Sequence, residues 1–293
     1  MNNHRLLYRR GILLLVASGF FLSTSGIALR LIEQADGWQI LFYRSFALSL
    51  TIFLILFFQK GLRVFDEFRG LGWNDFLLAV FLGTGFVAYV FALLYNTVAN
   101  ALFIFSCAPF VAGFLGWILL GERVPTRTWF AICAAMVGLT IMVGSELAVS
   151  RYLATLIALW IPISYAASII AVRSSKRENM LAALCLAGLV AGSLSAIFVT
   201  DFALTPKDLV ISLYLGVFQV GVGFALMVLG TRYVPAAQVG LLALVEPVLA
   251  PLWVWLGVGE VPGLATMVGG AIIFLALTTD GILNIQRSLN DSA

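Results

Sequence analysis

Gly83-Thr84-Gly85-Phe86 and Gly221-Val222-Gly223-Phe224 stand 138 positions apart, and the residues after them keep step. With that shift Tyr95 falls on Tyr233, Ala99 on Ala237, Pro109 on Pro247, Ala112 on Ala250 and Trp117 on Trp255. Gly121-Glu122 falls on Gly259-Glu260. Eleven of forty positions agree without a gap. A shared taste for apolar residues does not explain matched Pro, Trp and Gly-Glu. The chain therefore reads as a duplication, with one repeat over 1–146 and the other over 147–293.

Working outward, apolar stretches of about 20 residues, enough to cross a hydrocarbon core of ~30 Å, recur almost without pause. The 293 residues are 62% apolar and 11% charged, with a mean hydropathy of +1.05. A soluble domain carries roughly a quarter charged residues. The pattern predicts an all-α membrane protein with ten helices, over 11–32, 38–59, 74–95, 98–119, 127–145, 151–172, 180–199, 208–230, 236–257 and 263–284. Asp36-Gly37, Thr205-Pro206 and Pro262-Gly263 punctuate the breaks. The apolar run 11–32 is too long for a cleaved signal peptide and ends in no Ala-x-Ala site.

Lys and Arg set the orientation. Thirteen of them, from Arg5, Arg9 and Arg10 through Arg173, Lys176 and Arg177 to Arg287, fall on one side of the predicted helices. Arg30, Arg151 and Lys207 fall on the other. This predicts both termini in the cytoplasm, with 33–37 and 146–150 outside. Five helices per repeat, an odd number, invert the second half relative to the first. Inverted repeats place a solute site near the midplane between the halves, and rocking of either half exposes it to each side in turn.

The segment Leu244-Val245-Glu246-Pro247-Val248 through Trp253 to Gly259-Glu260 resembles the signature of the EamA-type drug/metabolite transporters. Ala108-Pro109-Phe110 through Leu120-Gly121-Glu122 resembles it again, and Phe42-Tyr43-Arg44-Ser45-Phe46-Ala47 is similar to that family's helix-two pattern. The resemblance covers essentially the whole chain and implies a ten-helix carrier of the bacterial inner membrane, commonly an exporter of amino acids or related metabolites. The aromatic-rich helices look most like the bacterial aromatic amino-acid exporters. The small multidrug-resistance relatives place an essential glutamate in helix one, and helix one here has none.

Candidate solute contacts are polar or aromatic residues in apolar helices. Ser23 lies in helix one; Trp160, Ser164 and Tyr165 lie in helix six, with Trp160 and Ser164 four apart on one face. The alternative for each is tight helix packing. Helix three presents Tyr89 and Asn96, and Asn100 begins helix four. A phenol and two amides suit a zwitterionic amino acid better than a phosphate; interfacial anchoring is the alternative. Gln219 and Gln238 carry the same two readings. Pro109 and Pro247 interrupt helices four and nine, each removing a backbone bond and pressing on the carbonyl four residues earlier. They are candidate hinges or static kinks. Gly121-Glu122 and Gly259-Glu260 read as helix ends that fix loops.

Arg44 and Glu246 are the ionisable residues clearly inside helices, where charge is costly and needs protein or water around it. Arg44 sits six residues into helix two, and snorkelling or holding a neighbouring helix is expected of it. Glu246 is deeper, beside a proline. It would receive a substrate amine or a proton, or bond the backbone groups the proline frees.

These residues imply a secondary carrier of amino acids, aromatic and apolar ones included, working by alternating access. A nucleotide-sugar or phosphorylated-metabolite exchanger wants several deep cations and finds only Arg44. A passive channel is a further alternative. An enzyme on lipid-soluble substrates lacks a constellation: the single histidine, His4, is in the N-terminal tail, and Cys107, Cys133 and Cys185 read as apolar packing thiols. No metal, no cofactor and no nucleic acid is expected; the expected partners are the lipid bilayer and a small solute, with the chain a monomer or weak homodimer.

Overall fold

The computed structural model describes residues 2–95, 104–143, 152–177, 180–259, 261 and 263–290. Among them no strand occurs. The helices are α1 (Asn2–Leu22), α2 (Ser25–Arg30), α3 (Gly37–Lys60), α4 (Val64–Arg69), α5 (Trp73–Tyr95), α6 (Ala108–Leu120), α7 (Thr126–Val143) and α8 (Tyr152–Ser174). After them come α9 (Leu181–Phe198), α10 (Pro206–Tyr214), a π-helical stretch Leu215–Val222, α11 (Gly223–Thr231), α12 (Ala236–Leu242), α13 (Val245–Val258) and α14 (Leu264–Asn290). Among the described residues seven helical segments are long and apolar enough to cross a membrane; Ala108–Leu120, Thr126–Ile141 and Leu264–Asp280 are shorter apolar helices.

Local chemistry sets the ends. Asp36 and Gln39 form a reciprocal capping box at the start of α3, with Gln39 N donating to Asp36 Oδ1 at 2.8 Å and Asp36 N to Gln39 Oε1 at 2.9 Å. Thr205 Oγ1 accepts from Asp208 N at 3.1 Å ahead of Pro206, whose missing N–H is no loss in a first turn. Gly121 and Gly259, equivalent in the repeat, close α6 and α13 with φ of 66° and 74°. Between α3 and α5 the short α4 anchors on Val64, a turn that apolar periodicity is too brief to reveal.

Three helices expected to be continuous are broken. The first breaks at Ser23-Thr24, where both hydroxyls donate back to carbonyls three residues earlier, Phe20 O at 2.6 Å and Phe21 O at 2.8 Å. The breaks before α6 and α13 fall at Ser106-Cys107 and Ala243-Leu244. Both breaks lie just before the prolines. Pro109 and Pro247 stand in the first turn of a new helical segment, where a missing N–H leaves no carbonyl newly orphaned. Ala243 O accepts instead from Glu246 N at 3.1 Å.

The principal pairings all join one repeat to the other: α1 with α11, α3 with α9, α5 with α8, α6 with α12, and α7 with α14. Exchanging the repeats maps this set onto itself, as two inverted halves require. The α3–α9 seam shows the packing logic. Ala183, Ala187, Gly188, Ala191 and Gly192 keep the α9 face low, and Ser49 Oγ of α3 donates to Cys185 O at 2.9 Å. Large apolar side chains such as Leu13, Phe58, Phe130 and Leu256 stand outward. Such a surface suits lipid and is unsuited to water.

Candidate functional site

Where the broken helices of both repeats meet, side chains enclose a cavity with about 530 Å³ of empty space, its open mouth included. Leu22, Arg44, Leu82, Gly85, Phe86, Tyr89 and Phe105 come from the first repeat, and Ile161, Ser164, Tyr165, Gln219, Phe224, Ala243 and Glu246 from the second. Its lining is that of a small-molecule site, largely apolar with a few convergent polar groups.

Arg44 is 2% exposed, and its Nη1 has no hydrogen-bond partner among the described residues. Its Cζ lies 5.7 Å from the centre of the Phe86 ring, within cation–π range. The backbone around it is held closely. A Cβ at Gly216 would meet Arg44 O at 2.3 Å and Ala47 Cβ at 2.5 Å, so only glycine lets the π-helical stretch touch α3 there. In that stretch Gly223 N donates to Phe218 O, five residues back. The wider turn, a device frequent at functional sites, carries Gln219 at the cavity wall. Gln219 Nε2 donates to Leu22 O at 3.3 Å, and its Oε1 is buried without a partner among the described residues.

Glu246 opens α13 facing Tyr89 of α5. The Tyr89 hydroxyl donates to Glu246 Oε1 at 3.0 Å and lies 3.2 Å from Ser25 Oγ, which fixes the carboxyl against the break in the first helix. Arg44 and Glu246 face one cavity without forming an ion pair. The same cavity is lined by an edge-to-face aromatic wall, with Phe105 and Tyr165 at 5.5 Å, Phe86 and Phe224 at 4.9 Å, and Tyr165 and Phe224 at 6.4 Å.

Of the residues singled out in the sequence, Tyr89, Ser164, Tyr165, Gln219 and Glu246 meet here. Asn96 and Asn100 lie outside the described residues. Three are placed elsewhere. Ser23 is fully buried at the helix break, donating to Phe20 O and accepting from Trp253 Nε1 at 2.7 Å, so both its bonds are internal. Trp160 is 37% exposed outside the cavity; its Nε1 donates to Thr84 Oγ1 at 3.0 Å and its ring packs near Phe81. Helical spacing put Trp160 and Ser164 on one face, but a cavity occupies a limited depth, and one turn farther along is past its wall. Gln238 sits away from the cavity, accepting from the Tyr8 hydroxyl at 2.9 Å.

At the end of the bundle rich in Lys and Arg, Arg173 closes α8 and its Nε donates to Glu122 Oε1 at 2.5 Å. Arg173 also donates to Thr231 O at 3.0 Å and to Val234 O. Glu122 Oε2 accepts from Ala236 N at 2.9 Å, capping α12. At the opposite end Asp208 accepts from the backbone N–H groups of Glu33, Gln34 and Ala35 at 2.9 to 3.1 Å, and Lys207 pairs with Glu33 at 2.5 Å.

Residues 9–144 and again 152–279 match the EamA-like transporter family. The chain belongs to the EamA-like transporter family. It is 28% identical over 179 residues to an uncharacterized transporter of Bacillus subtilis (strain 168), YwfM, covering 58% of this chain and 60% of that one. It is also 28% identical over 206 residues to an uncharacterized transporter of Archaeoglobus fulgidus, covering 67% and 72%. The chain thus spans about three-fifths of the Bacillus relative's length. A solved crystal structure shares the fold with a TM-score of 0.76 at 18% identity, covering 96% of this chain and 98% of that one.

The two EamA-like units contribute seven lining residues each to the cavity. The cavity residue that sequence reasoning placed differently is Arg44: expected to snorkel or hold a helix, it lines the cavity. The signal was present in its being an intramembrane cation within the Phe42–Ala47 motif. Phe86 and Phe224, equivalent in the repeat, also carried a signal, since the shift of 138 pairs them.

Proposed function

We propose that this membrane transporter exports amino acids, aromatic and other apolar ones included, across a bacterial inner membrane by alternating access. Ten helices cross the bilayer, and both termini lie in the cytoplasm. The observation that carries the reading is the cavity shared equally by the two repeats, in which a guanidinium, a carboxyl, a phenol and an amide face an aromatic wall. Polar groups of both signs suit a zwitterion, and the edge-to-face rings suit an apolar side chain. A phosphorylated solute would bring more negative charge than one arginine can meet. Rocking the inverted halves about this site would uncover it on either side.

Counterflow tests the reading. Proteoliposomes loaded with unlabelled phenylalanine should accumulate labelled phenylalanine transiently. Simple equilibration without an overshoot would mark a passive channel, and no uptake of any amino acid would remove the substrate class.

A further inference from the structure

Arg44 is an anomaly in energetic terms. A guanidinium buried among apolar helices is tolerated when a counter-charge or hydrogen-bond acceptors surround it. Its Nη1 has none among the described residues, and what it has is the face of Phe86. The nearest carboxyl in function, Glu246, is engaged by Tyr89 and forms no ion pair with Arg44. Across the same cavity Gln219 Oε1 is an acceptor equally buried and equally without a partner, its amide held in place through Nε2 on Leu22 O. An unmet guanidinium nitrogen and an unmet amide oxygen on residues that line one cavity are complementary to a ligand that accepts at one end and donates at the other.

We propose that Arg44 is the carboxylate anchor of the transported solute, that Gln219 Oε1 and Glu246 receive its ammonium group, and that the carrier therefore demands a free α-carboxylate together with a free α-amine. This rests on the reading of the cargo as an amino acid and adds which atoms recognise it. The planar guanidinium offers a bidentate match to a carboxylate, which a lysine ammonium does not reproduce. With both charged ends bound on the polar side, the amino-acid side chain falls against Phe105, Tyr165 and Phe224. The site then discriminates by leaving its own buried groups unmet when a ligand lacks either end, the regime in which rejection is strongest.

The test is competition against phenylalanine counterflow in proteoliposomes, with phenylalaninamide, phenethylamine and 3-phenylpropionate as competitors. On the wild-type carrier each analogue is expected to compete at least ~30-fold more weakly than phenylalanine, the scale of one lost buried charge partner. Arg44→Gln is expected to weaken phenylalanine by a similar factor, and Arg44→Lys by less. An Arg44→Gln carrier that keeps its affinity would overturn the anchor, as would phenethylamine or phenylalaninamide competing as well as phenylalanine on the wild-type carrier. 3-Phenylpropionate competing equally would overturn the ammonium assignment. The wild-type competition decides even if an Arg44 variant fails to fold. Absence of counterflow for every amino acid would instead sink the reading of the cargo, a different result from any of these.

Discussion

Glu122 grips Arg173 with one carboxylate oxygen and the backbone N–H of Ala236 with the other, tying the ends of α6, α8 and α12 from both repeats at one point. The ion pair is about one-fifth exposed, so it is screened only in part. Glu122→Ala should lower stability by about 2 kcal/mol, below the figure for a fully buried pair. Thermal melting in detergent measures this. The reversed pair, Glu122→Arg with Arg173→Glu, should fail to recover the loss. An arginine cannot accept from Ala236 N, and a glutamate cannot donate to Thr231 O and Val234 O. Recovery to wild-type melting would show that only the ion pair counts.

Gly216 lies against the backbone of Arg44, with no room for a methyl group. Gly216→Ala must push the π-helical stretch off α3 at the level of the cavity. Overpacking of this kind costs about 1–3 kcal/mol. The expected result is lower melting together with weakened solute affinity, because Arg44 and Gln219 both move. Gly26→Ala, which meets nothing within 4 Å, is the control and should change neither.

Gln34 and Lys176 are both exposed, at opposite ends of the bundle. In a background lacking Cys107, Cys133 and Cys185, a membrane-impermeant thiol reagent added to intact cells should label Gln34→Cys and spare Lys176→Cys. The reverse pattern would invert the topology proposed from the Lys and Arg bias.

How much of this was legible in the sequence depends on what each feature is made of. The repeat, the helical spans and the helix-closing glycines write themselves into composition and spacing. The breaks at Ser23-Thr24, Ser106-Cys107 and Ala243-Leu244 do not, because hydroxyl back-bonding and first-turn prolines look, in a line of letters, like small residues inside a continuous apolar helix. The π-helical stretch is likewise silent, since its one extra residue per turn is set by the neighbour that Gly216 admits. For the site, Tyr89, Tyr165, Gln219 and Glu246 stood out as polar groups in apolar surroundings. Trp160 stood out equally and lies elsewhere, since helical spacing gives a face but not a depth.

That distinction has a measurable consequence. Trp160→Ala removes a bond to Thr84 and packing on Phe81 outside the cavity, so it should lower transport of large and small amino acids alike. Tyr165→Ala removes part of the aromatic wall and should weaken phenylalanine more than alanine. Competition assays with both solutes separate the two. A size-selective defect in Trp160→Ala would place that ring in the translocation path after all.

Glu246 accepts from the Tyr89 hydroxyl, a bond that a glutamine oxygen accepts equally well. Glu246→Gln should therefore leave the local geometry intact and change pH-driven net transport and labelled-substrate exchange in parallel. Loss of the first with retention of the second would make Glu246 the proton-coupling group.

Because every principal helix pairing among the described residues crosses from one repeat to the other, the described helices of the first half pack little against one another. During synthesis its helices must wait in the bilayer, each with its polar or small-residue seam facing lipid, until the second half is threaded in. Biogenesis is then a matter of late pairing, and the waiting half is the species that membrane quality control would meet. A gene cut between codons 146 and 147 should yield two fragments that are each degraded when made alone and survive together, much as the subunits of an obligate heterodimer do.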